Sequence, residues 1–139
     1  MNTATPAIPD FARRLIALEA ARDQSPGALA SGAVRTCEKL RVPLAKFVGV
    51  AGFRSLMTRA MALATAKVPW LESVQVGADG SLDGFAATSL HQGAVAGDEA
   101  GVVVVTQLLG LLMTFIGEPL TLRLVRDAWP EASVSGIHV

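Results

Sequence analysis

The chain has 139 residues, twelve basic side chains balanced by twelve acidic ones, and a single cysteine. That length fits one domain that can bury a core without disulfides or a structural metal. With no Lys/Arg run longer than Arg13-Arg14, the charge footprint of a nucleic-acid binder is missing.

Charged residues make up 17% of the chain, against about 25% in soluble proteins, and 51% are hydrophobic. A monomer of that composition has too few polar groups to cover itself, so some exterior is expected to be apolar and in need of a partner. Abundant Arg, Ala, Gly and Val fit a bacterial source by composition alone. The start "MNTATPAIPDF" has neither a basic region nor an apolar core of the kind that directs export, which points to a cytoplasmic protein.

Three divisions are expected: a flexible arm over residues 1–9, one helical domain over 10–130, and a tail over 131–139. Asp10 is a good cap for a first helix through about Asp23, with Phe11, Leu15 and Leu18 on one face. Ser25-Pro26 repeats the start signal. The second helix carries Leu29, Ala33, Cys37 and Leu40 inward, with Arg35, Glu38, Lys39 and Arg41 outward. Pro43 is expected to kink it or to start a new turn, "PLAKFV", and Gly49 of "GVAG" to end a helix in the left-handed conformation. A third helix from about Ala51 to Lys67 presents Phe53, Leu56, Met57 and Ala60 on its apolar face and stops at Val68-Pro69.

The period then changes. Leu71, Val74 and Val76 before Asp79-Gly80 predict a short strand and turn with Leu82 pairing back. Residues 84–97 read as a Gly/Ala-rich loop holding a helical turn or two. Asp98 and Glu99 sit where negative charge favours a helix start, so a long helix is predicted from near Ala100. The fold class is mostly α: a compact bundle of four to six helices with a minor β-turn or hairpin near residues 71–83.

From Ala100 to Gly117 there is no charged residue. Eighteen uncharged residues reach the lower limit for a membrane span. The flanks disfavour one, since Asp98, Glu99 and Glu118 are acidic, no Lys or Arg follows until Arg123, and neither boundary has Trp or Tyr. A helix apolar nearly all round is instead expected at the centre of the domain or in an interface. Along it Thr106, Gly110, Thr114, Gly117 and Thr121 form a stripe of small residues, a surface on which another helix can approach closely. Beyond Pro119, "LTLRLVRDAW" turns amphipathic, with Arg123 and Asp127 spaced as an i,i+4 pair.

Chemical motifs are sparse. "DGSLDG" at Asp79–Gly84 matches the first half of a calcium loop, but position twelve is Leu90 where a bidentate Glu is required. His91 and His138 have no zinc spacing. Cys37 lies on an apolar helix face and reads as a small core residue. "GVAGFR" opens a helix with Arg54 near its N-terminus, a weak anion signal without a phosphate-loop pattern. Glu118 is either a carboxylate paired with Arg54 or Arg59, or an exposed residue at the kink before Pro119.

The expected function is a non-enzymatic helical interaction or adaptor module, homodimeric or docked to a larger protein, with no cofactor, metal or nucleic acid. Its interface candidates are Thr106, Gly110, Thr114, Gly117 and Trp129. The alternatives are a small-molecule or anion sensor using Arg54, Arg59 and Glu118 around a cavity between helices, and a membrane-associated accessory protein.

Overall fold

Five helices and one hairpin follow each other along the chain, in a computed structural model that describes residues 4–21 and 28–130. Helix α1 spans Ala4–Ala20 and α2 spans Ala28–Lys67; a 3-10 turn, Pro69–Ser73, leads into strands β1 (Gln75–Val76) and β2 (Leu82–Asp83). Helices α3 (Phe85–Gln92), α4 (Ala94–Phe115) and α5 (Glu118–Ala128) complete a mostly α bundle with a minor hairpin.

Several boundaries move from their sequence positions. Helix α1 begins at Ala4, with Pro9 inside it, so residues 4–9 are helical where an arm was expected. Residues 1–3, the Ser25-Pro26 start signal and the 131–139 tail lie outside the described residues. The helix continues through Pro43, held on both sides by the fully buried Leu40 and Leu44, and breaks instead at Gly49 (φ 80°, ψ 166°). That break resets the buried stripe. Ala33, Cys37, Leu40 and Leu44 serve the first segment, and Phe53, Met57, Ala60 and Ala64 the second.

The helical turns expected within residues 84–97 are an eight-residue helix, α3, bounded by two glycines with positive φ, Gly84 and Gly93. Because Gly93 ends α3, α4 starts at Ala94, and Asp98 and Glu99 fall inside α4 rather than at its cap. At the other end, Gly117 (φ 89°) separates α4 from α5 as two helices.

All four other helices pack on α4. Its inner face (Ala100, Val104, Val105, Leu108, Leu109, Leu112) is buried against Phe11, Leu15, Leu40, Phe53 and Met57 in a single cluster. By length and composition α4 is long and apolar enough to cross a membrane, and 44% of its apolar window is buried in this bundle. Removing α4 to a bilayer would strip the core of the surface on which every other helix rests.

Close backbone approach occurs at two glycines. A Cβ on Gly32 would lie 2.8 Å from the Ile16 carbonyl oxygen of α1, and one on Gly97 would lie 2.9 Å from the Ser89 Cβ of α3. In the hairpin, Gln75 pairs with Asp83 and Val76 with Leu82. The Asp79 carboxylate accepts the Ser81 N–H at 3.0 Å, Gly80 turns at φ 88° over the Phe53 ring, and Arg54 Nε donates to the Gly77 carbonyl at 3.2 Å. These contacts tie the hairpin to α2, which a two-stranded ribbon needs in order to persist.

Candidate functional site

The α4 part of the small-residue stripe is not closely packed inside the chain, whereas Thr121, in α5, is fully buried. A Cβ on Gly110 would meet nothing within 4 Å, so the close packing expected there is absent. Thr114 is exposed and donates its hydroxyl hydrogen to the Gly110 carbonyl at 3.0 Å, while Thr106 and Gly117 are half-buried. The reason is rotational: α4 turns its Val/Leu face to the core and leaves its small-residue face outward.

Trp129, the fifth interface candidate, is a core residue with 0% exposure, not a surface anchor. Its indole Nε1 donates to Glu19 Oε2 at 2.8 Å. Glu19 is 2% exposed. Lys39 Nζ reaches the same carboxylate at 2.9 Å and lies 5.3 Å from the Trp129 ring centroid; Arg35 donates to the Glu19 backbone carbonyl at 3.0 Å. A buried carboxylate is tolerable only when so partnered. The arrangement therefore fastens the ends of α1 and α5 to α2, and its chemistry is structural. Sequence reading missed Glu19, which sits at a helical position otherwise filled by apolar residues and is bonded to a residue 110 positions away.

Arg54, Arg59 and Glu118 are all exposed, and no ion pair joins them among the described residues. Arg54 serves the hairpin. Glu118 opens α5 in its first turn, where a carboxylate meets the positive end of the helix dipole. None of the three lines the hollow between α2 and α5 or the one between α1 and α4. Nor do Arg123 and Asp127 form the ion pair their spacing offered.

Reactive groups are few. Burial, with help from the Glu38 charge, pushes the Cys37 thiol up to about 12, so it stays protonated at neutral pH and is no nucleophile. Among the described residues no three potential metal ligands cluster.

The surface has two notable hollows. The larger, about 760 Å³, runs between α2 and α5 over Val42, Pro43, Phe47, Leu120 and Leu124, with Lys39, Lys46, Arg123 and Asp127 at its rim. Val42 and Phe47 are each 58% exposed, and around the Gly49 break Val48 and Val50 are exposed as well. The second, about 560 Å³, lies between α1 and α4 over Ile16, Ala17, Val102 and Val103, with Arg13, Asp98 and Glu99 at its edge. The sequence signal for the first was present in "RVPLAKFVGV", which is apolar on more faces than one core contact needs.

Comparison with protein families, characterised proteins and solved structures finds no match for this chain.

Proposed function

We propose that this protein is a non-enzymatic helical interaction module of the cytoplasm, acting through an apolar helix surface that another protein surface covers. One observation carries the reading. Val42, Phe47, Val48 and Val50 stand exposed together around the α2 break, beside the open α2/α5 groove, while the core beneath is complete without them. Exposed apolar side chains scattered singly need no explanation, whereas a contiguous set bordering a groove marks a contact surface. The chemical inventory gives support from the other side, since the one thiol is buried and, among the described residues, the one buried carboxylate is held by structural partners.

The test is site-specific photocrosslinking in the native host. A crosslinking amino acid at position 47 should yield a discrete protein adduct, and the same group at the exposed position 59 should not. Lipid adducts alone, or no discrete product at position 47, would defeat the proposal.

A further inference from the structure

We propose that the α2/α5 groove is filled by the outward face of α4 from a second copy of this chain, an inference that rests on the interaction-module reading above. The two surfaces carry opposite unsatisfied charge on apolar ground. At the groove Lys39 is already engaged by Glu19, which leaves two cations, Lys46 and Arg123, and one acid, Asp127, without an ion pair among the described residues, a net positive rim. On α4, Asp98 and Glu99 have none either, and Arg13 beside them is bonded to Asp10 at 3.3 Å.

The shapes correspond. Val95, Glu99, Val102, Thr106 and Gly110 recur at helical spacing along the outward face of α4. Val95 is 72% exposed, and the open space at Gly110 lets a neighbour come close. From Val95 to Val102 is about 10 Å of helix, and from Lys39 to Phe47 about 12 Å, at 1.5 Å per residue. A ridge of that length seats apolar anchors at i and i+7, Val95 and Val102, in the groove, with the acidic Glu99 at i+4 between them. Val95 and Val102 then meet Val42, Phe47 and Leu120, while Asp98 and Glu99 face Lys46 and Arg123.

Partial burial holds the Asp98 carboxyl above the usual carboxylate range. The chain's zero net charge removes long-range repulsion between copies. Both halves of the complementary pair belong to this one sequence, so the partner need not be foreign.

The experiment is a charge exchange read by sedimentation equilibrium on purified protein. The wild-type chain should sediment above its 14.4 kDa mass and lose mass on dilution or with added salt. Lys46→Glu with Arg123→Glu, and separately Asp98→Lys with Glu99→Lys, should each weaken association about tenfold or more. Mixing the two variants should restore it, because each then supplies the charge the other lacks. If Asp98→Lys disturbs the fold by circular dichroism, Glu99→Lys alone, at an exposed position, serves in its place.

A wild type at single-chain mass at every concentration overturns the inference, as does a mixture no heavier than its components. A monomer that still crosslinks a foreign protein through position 47 refutes the second copy and leaves the module reading standing. A monomer with no adduct at that position refutes both.

Discussion

Replacing Gly32 by Ala and Gly110 by Ala makes the same chemical change in two helix interiors and should move stability in opposite directions. In both, the unfolded chain loses the same freedom, so that part of the effect is common and is worth about 0.5–1 kcal/mol in favour of Ala. At Gly110 nothing opposes it, because the added methyl meets no atom within 4 Å. At Gly32 the methyl would lie 2.8 Å from the Ile16 carbonyl oxygen, 3.2 Å from the Ala20 nitrogen and 3.3 Å from the Ala20 Cβ. Two of those three atoms are backbone and cannot rotate away. Helix α1 must therefore shift by several tenths of an ångström, loosening Phe11, Leu15 and Ile16 from the core, and overpacking of that kind costs about 1–3 kcal/mol. Gly110→Ala should gain about 0.5–1 kcal/mol, and Gly32→Ala should lie about 1–3 kcal/mol below it. With a urea slope near 2 kcal/mol/M, the two midpoints differ by roughly 0.5–1.5 M. Urea melts followed by circular dichroism at low protein concentration, where self-association does not contribute, measure both. A Gly32→Ala midpoint equal to or above that of Gly110→Ala would refute the close α1–α2 approach.

Gly80→Ala should destabilise by about 1 kcal/mol or more, because the position requires φ 88° and its new methyl would lie 2.5 Å from the Phe53 ring; an unchanged urea midpoint would contradict the hairpin's seat on α2. Trp129→Phe keeps the aromatic volume but removes a donor from a buried carboxylate, so a loss of about 1–3 kcal/mol is expected, and a melt within error of wild type would show that Glu19 is not dependent on the indole. Cys37 should resist thiol reagents in the native state and react only on unfolding. Its folded thiol holds its proton to about 12 against an ordinary 9.0. The unfolded chain ionises first, so stability should fall as pH rises through that window, by up to about 1.4 kcal/mol per pH unit. Cys37→Ala should lack that part of the alkaline slope, and identical slopes would place the thiol in contact with water.

The helical class and most of the core were legible because they rest on local periodicity. Phe11 and Leu15 in α1, and Phe53, Met57 and Ala60 in the second segment of α2, repeat at helical spacing and are buried as that spacing requires. Gly49 was readable as a break, although its ψ of 166° lies outside the left-handed helical region expected there; a φ of 80° is still costly for any residue but glycine. Gly93 escaped notice in a run of small residues. Without that stop, Asp98 and Glu99 resembled the start of α4, although they lie one turn inside it. Pro43 misled in the opposite sense, because the missing backbone hydrogen bond costs less here than unseating Leu40 and Leu44.

What sequence could not give was the direction in which a helix faces its neighbours. The same α4 residues are consistent with a stripe turned inward or outward, because small side chains contribute little to the burial that fixes rotation. Val104, Leu108 and Leu112 decide it, and Gly110 is left at the surface as a consequence. The contact between Glu19 and Trp129 is equally invisible along the chain, since it joins the end of the first helix to the residue after the last. Once that contact is in place, α5 is held at its C-terminal end against α1 and α2, and its remaining length leans on α4 and α2. The α2/α5 groove is the space left between them. Its shape thus depends on a buried charge network at one end, while its apolar floor and its Lys46 and Arg123 rim come from residues that the network does not use. Apart from Lys39, which borders the groove and also holds Glu19, stability and surface recognition are in this way assigned to separate side chains, so charge exchange at Lys46 and Arg123 alters the surface without touching the clamp that forms it.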